Sequence, residues 1–237
     1  MIKNIDFVTE QYREQIEALN GFIKDAYPYL PNKDNSFIRF GGGTALAIYY
    51  FQHRLSFDID LFVTDVQILN YLSPKHWIEE TNDFNGSKYI DLSNHIRVLH
   101  KKNNIKVDIL VSQDASKQFL IDDSNSIFST TVYVESIEDI IAKKIVYRRN
   151  DNLTRDIIDI AISINHADNI LKKLFDAELI TYEDVQELYN SLLKLDLNTF
   201  EEEIEVVMPF EKYLNDAKNA PKIIKTECEK ILGVYAS

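Results

Sequence analysis

The chain is expected to be an α+β protein, with a mixed sheet-and-helix region over residues 1–135 and a helical bundle over 136–237. Three observations lead there. Short runs of alternating or continuous apolar residues, each bounded by turn residues, occur only before residue 135. From Ser136 onward the apolar spacing is helical to the end, and Ser136 with Asp139 forms a capping signature at the start. Finally, 45% hydrophobic residues with only 5 Pro and 6 Gly in 237 residues describe a well-cored globular chain.

Taken in order, residues 5–27 read as one amphipathic helix, with Ile5, Val8, Tyr12, Ile16, Leu19, Phe22 and Ile23 on one face. Pro28, Pro31 and the polar residues 32–36 make a loop. A strand over 37–40 leads into Gly41, Gly42 and Gly43, then Thr44 and a short apolar helix over 45–51. Gln52, His53 and Arg54 turn the chain into a strand that reads Asp58-Ile59-Asp60-Leu61-Phe62. Helices over 66–71 and 74–80 follow, then strands over 87–92, 95–101 and 105–111, and a last edge strand over 131–135. In the bundle, helices are expected over 137–149, through 155–164, and over 169–178, 182–195, 200–207, 210–218 and 221–232.

Half of all the glycines stand together at Gly41–Gly43. Backbone without side chains can approach a ligand closely, and the N–H groups at a helix start attract phosphate. Residues two apart on a strand share a face, so Asp58 and Asp60 aim two carboxylates at one point. Like charges so close need a cation between them or a shifted pKa, and a hard cation such as Mg²⁺ suits the oxygen donors. Phosphate donors on one side and a metal pair on the other describe a nucleoside triphosphate site. On the strand over 105–111, Lys106, Asp108 and Leu110 share one face. On the helix over 137–149, Ile137, Ile140, Ile141, Ile145 and Tyr147 define an apolar stripe, with Lys144 and Arg148 near its middle and Lys143 and Arg149 off it. Cations there face either an anion-binding cleft or water at the tips of packed stems. On the next helix Asp156 borders the stripe and Asp159 sits further round.

The net charge of −12 argues against a broad nucleic-acid surface. Between residues 143 and 155, however, five basic residues face a single acid, Asp151. One cysteine, Cys228, excludes an internal disulfide and fits a reducing compartment. With no apolar run of signal or membrane-span length, a cytoplasmic protein is expected. His53 and His76 have no companions at metal-ligand spacing. Arg54 and Ser56 are placed to steady the loop before the acids.

The segment GGGTALA, followed by HRLSFDIDLF with His-Arg-x-Ser ahead of the acids, resembles the first motif of the AbiEii-type nucleotidyltransferase toxins, a family within the DNA polymerase β-like nucleotidyltransferase superfamily. Lys144 followed by Arg148 or Arg149, then Arg155-Asp156 and Asp159, is similar to its later motifs. The resemblance spans about residues 37–165. It implies a polymerase β-like mixed sheet, with the helical region closing the active-site cleft. It also implies Asp58, Asp60 and a third acid, Asp108, as ligands of one or two Mg²⁺ ions. Gly42, Gly43, Thr44, Lys144, Arg148 and Asp159 would bind the nucleotide. Asp108 or Asp156 would assist the acceptor. The implied reaction moves a nucleoside monophosphate from an NTP to a hydroxyl, with tRNA as acceptor and a cognate antitoxin as partner. Two other readings stay open: the same transfer to a small molecule such as an aminoglycoside, and a nucleotide-binding regulator that transfers nothing.

Overall fold

The computed structural model describes residues 2–233. The chain forms two compact units, one of residues 1–50 and 56–135, the other of residues 51–55 and 136–237. The second unit therefore takes in Phe51–Leu55, which pattern alone leaves with the sheet.

The first unit is built on a seven-stranded sheet. Its strands are β1 (Ile38–Gly41), β2 (Ile59–Val63), β3 (Ile90–Asp91), β4 (His95–Leu99), β5 (Lys106–Val111), β6 (Phe119–Asp122) and β7 (Val132–Glu135), in the order β3-β4-β5-β2-β1-β7-β6. The β1–β7 and β2–β5 pairs are parallel and the other four antiparallel, so the sheet is mixed. Alternation sends Phe40, Ile59, Leu61, Val107 and Ile109 into the core. The opposite face carries Gly41, Asp60, Asp108 and Arg97 in one register row across four strands.

Helices α1 (Ile5–Gln11) and α2 (Arg13–Ala26) replace the single expected helix over 5–27. They break at Tyr12, whose backbone leaves the helical region (φ −114°, ψ 24°) while its ring is fully buried along with Val8 and Phe22. The glycine helix α3 (Gly42–Ala45) runs on as a π-helical stretch, Leu46–Phe51. It starts three residues earlier than expected, because Gly42 and Gly43 are its first turn rather than a loop before it. The acid strand begins at Ile59, so Asp58 lies just before it. Short helices α4 (Val66–Tyr71) and α5 (Pro74–Trp77) follow. Strand β7 is not an edge: β6 lies outside it and takes the edge position. The outward Phe119 and Ile121 conceal β6 in the sequence pattern, being 41% and 55% exposed.

The second unit contains α6 (Ile137–Arg148), α7 (Thr154–His166), α8 (Ile170–Asp176), α9 (Tyr182–Leu193), α10 (Leu197–Val207) and α11 (Leu214–Leu232). The side chain of Ser136 caps α6 by accepting from the Asp139 N–H at 3.0 Å. Helix α11 replaces the two expected over 210–218 and 221–232, passing straight through Pro221. A proline inside a helix costs about 3 kcal/mol. Burial of Ala217, Ala220, Pro221 and Ile224 where α11 packs against α7 and α9 offsets that cost. Tyr147, expected in the inner stripe of α6, is 73% exposed. No helix among the described residues is long and apolar enough to cross a membrane.

Candidate active site

Strand β1 delivers the chain into Gly41, beside Asp60 of β2. Gly42 has φ +65°, and a Cβ there would overlap the Asp60 carboxylate. Only glycine meets both demands, so Asp60 is seated directly against the start of α3. A side chain at Gly41 would strike the Glu135 carboxylate and the Phe62 ring. Thr44 is buried, its hydroxyl donating to the Asp58 carbonyl and lying 2.7 Å from the Ser56 hydroxyl. Its side chain therefore staples α3 to the acid segment, which departs from the phosphate contact expected of it. Gly43 is half-buried in the first turn of α3.

The Asp58 side chain is 37% exposed, with Lys106 Nζ 3.8 Å from its Oδ1. A pair so open to solvent holds its acid weakly. Asp108 lies one strand over from Asp60, in register with it, and is buried. Its Oδ1 is shared by His95 Nε2 at 2.6 Å and Arg97 Nε at 2.7 Å. Hydrogen bonding to Asp108, with Asp58 and Asp60 adding their charge, raises the Arg97 pKa, so this guanidinium sits in the field of three carboxylates. Among the described residues no group of three acids, histidines or cysteines is gathered to hold a metal. The three-acid ligand set expected from the sequence is thus not gathered among the described residues, and His95 and Arg97 share Oδ1 of Asp108. The hard oxygen pair Asp58 and Asp60 still fits Mg²⁺, which takes one or two carboxylates and completes its shell with water and substrate phosphate.

The second unit holds a buried charge cluster. Lys144 of α6 is 7% exposed and reaches Asp156 Oδ1 and, at 3.0 Å, Asp159 Oδ2. Arg148 Nη1 lies 3.4 Å from Asp156 Oδ2, with 44% of its side chain exposed. Asp159 is fully buried. It accepts from His53 Nε2 at 2.7 Å and from Arg54 Nε at 2.7 Å on Oδ1, and from Arg54 Nη2 at 2.8 Å on Oδ2. Burial pushes the Asp159 carboxyl up, but Arg54 and Lys144 outweigh it and hold it well below the usual range. With both oxygens taken and no exposed surface, Asp159 is not a nucleotide contact, contrary to the expectation from sequence. Arg149 is likewise spent, pairing with Asp184 and Glu187. The buried Cys228 thiol is pushed up to about 12 by burial, which fits an inert core residue.

Sequence reasoning gave His53 no role and missed His95, Arg97 and Glu135. For His95 and Arg97 a signal existed: they alternate with Ile96 and Val98, which puts both on the polar face of β4.

His53 lies edge-on to the Phe51 and Tyr213 rings, and its buried Nδ1 has no hydrogen-bond partner among the described residues. Burial lowers its pKa, against the pull of Asp159. The folded chain therefore keeps His53 neutral, donating from Nε2, while the unfolded chain takes up a proton below about pH 6.5. The stability this contributes is present above that pH and is lost as pH falls below it. The melting temperature should drop as pH is lowered from about 7.5 to 5.5, at up to about 1.4 kcal/mol per pH unit for one proton. His53→Gln, which keeps a donor and cannot titrate, should flatten that slope. Parallel slopes for the two proteins, measured by circular dichroism melts, would assign the acid sensitivity elsewhere.

A glycine-started helix, an acid strand seated against it and a buried acid in register on the neighbouring strand are thus placed together on one sheet. One solved structure agrees at the level of fold. A nucleotidyltransferase candidate from H. pylori aligns with TM-score 0.50 and 17% identity, covering 94% of this chain and 98% of its own. JHP933 from Helicobacter pylori aligns with TM-score 0.49 and 16% identity, covering 94% and 95%. MenT4, a nucleotidyltransferase toxin from Mycobacterium tuberculosis, aligns with TM-score 0.45 and 16% identity, covering 94% and 99%. No curated protein matches the chain. The profile described as "Nucleotidyl transferase AbiEii toxin, Type IV TA system" matches residues 29–222, and the chain belongs to that family of nucleotidyltransferases.

Proposed function

We propose that the chain transfers a nucleoside monophosphate from an NTP to the 3′ end of a tRNA, with a cognate antitoxin as its partner in the cell. The observation that carries the reading is Asp60, held against the start of the glycine helix and two residues from Asp58. These two carboxylates would hold Mg²⁺. When bound, the ion supplies charge neutralisation for the triphosphate and the leaving pyrophosphate. The backbone N–H groups of the first turn of α3 receive phosphate oxygens. Within the helical unit, Lys144 and Arg148 are both held by Asp156 and are cations of the kind that neutralise phosphate. Asp108, fixed by His95 and Arg97, orients the acceptor hydroxyl and takes its proton. Positioning and electrostatics supply most of the rate. An RNA acceptor is supported by the exposed Arg148 and Arg155 on a protein that is otherwise acidic.

The test is incubation of the protein with Mg²⁺, each NTP labelled at its α-phosphate, and total RNA. Label is expected on RNA of tRNA size, lost on adding a chelator and regained with Mg²⁺. Label on an aminoglycoside instead would move the acceptor to small molecules. NTP binding with no transfer to any acceptor would leave a regulator.

A further inference from the structure

We propose that Arg54 and His53 are positioning residues that set the place and the free charge of Lys144, acting through Asp159; this rests on the nucleotidyltransferase reading above. Both residues lie in Phe51–Leu55, the five residues that fold with the helical unit. The segment is pinned there by main-chain contacts. Phe210 N donates to the His53 carbonyl at 2.9 Å, and Leu55 N donates to the Met208 carbonyl at 3.4 Å. The Tyr213 hydroxyl donates to the Phe51 carbonyl at 2.6 Å.

Asp159 touches no solvent, so it acts on a ligand only through the groups it holds. Of those, Lys144 pairs with Asp156 as well. An ammonium has three donors. Two of them on Lys144 go to Asp156 and Asp159, which fixes the direction of the third. Arg54 matters for charge as well as geometry. Against two carboxylates alone, the Lys144 ammonium would be over-neutralised and drawn inward. The Arg54 guanidinium, forked onto both oxygens of Asp159, balances that acid by itself. The four groups are then neutral together, and Arg148 adds one net positive charge beside them. His53, donating to the same Oδ1, limits rotation of the carboxylate.

Arg54→Lys keeps the charge but loses the planar fork. Two measurements on this variant test the inference. The first is the rate at which Lys144 is acetylated in a brief pulse of acetic anhydride, read by peptide mass spectrometry against the exposed Lys24 as internal standard. The second is the KM for NTP and the kcat of transfer. Lys144 labelling is expected to rise several-fold, and KM to rise about tenfold with a smaller fall in kcat, as for a misplaced binding group. A purely structural role would lower kcat in proportion to the folded fraction, leaving KM and the labelling of folded protein unchanged. That result would overturn the inference. If Arg54→Lys does not fold, His53→Phe removes one donor while keeping ring volume, and is expected to shift both readouts two- to threefold in the same direction. Unchanged values there would equally overturn it. Should the wild-type protein transfer no nucleotide, the enzymatic reading fails on that ground alone, while the labelling rates still decide whether Asp159 and its partners position Lys144.

Discussion

Asp60→Asn should lose nucleotidyl transfer by on the order of 10³-fold while the protein stays folded. A bound divalent ion supplies several kcal/mol of transition-state charge stabilisation, and each 1.4 kcal/mol is about tenfold in rate. Asparagine matches the shape that Gly42 accommodates, so the packing at the start of α3 survives. It removes the negative charge that a hard cation requires. It also removes repulsion between Asp60 and its neighbours Asp58 and Asp108 together with its attraction for Arg97, so the melting temperature should stay close to the wild-type value. Transfer assays with labelled NTP, run beside thermal melts, give both numbers. A variant that folds and transfers at the wild-type rate would take Asp60 out of the site.

The largest stability effect is expected at Asp159→Ala. Removing this carboxylate takes the buried acid away from Arg54, while Lys144 keeps Asp156. Breaking a buried ion pair by deleting one partner costs about 3–5 kcal/mol. Domains are commonly stable by only about 5–15 kcal/mol, so a loss of this size brings the helical unit close to unfolding. Urea denaturation followed by circular dichroism should show a midpoint shift of that magnitude. Asp156→Ala should cost less, because its second partner, Arg148, keeps nearly half its side chain in water. Equal shifts for the two variants would mean that Asp159 is not the centre of the cluster.

Much of the sheet was legible from local pattern. The glycine turn, the alternation around Asp58 and Asp60 and the buried core of β5 all follow from period-two reading and from where glycine is needed. Lys144 was legible too, as a cation inside an apolar stripe. Asp159 was not, because a helical wheel assumes that a helix buries one face. Helix α7 is covered almost all round: residues 156–163 are all buried, with α6, α8, α10 and α11 packed against it. A residue further round the wheel therefore lands in the interior. The partnership of Arg54 with Asp159 spans 105 residues of sequence, and no local signal reports a contact at that separation. Arg97 was missed for a different reason: a charged residue on a half-exposed strand looks the same whether it faces water or a neighbouring carboxylate.

The threading of Phe51–Leu55 into the bundle governs how the chain is born. Translation delivers Arg54 more than a hundred residues ahead of the acid it must meet. The contact therefore forms only after α7 has been synthesised, and closing a loop of that span costs chain entropy. Splitting the gene between residues 135 and 136 would leave the C-terminal fragment lacking an interior segment of its own core. The C-terminal fragment would then complete its core only when the other fragment supplies residues 51–55.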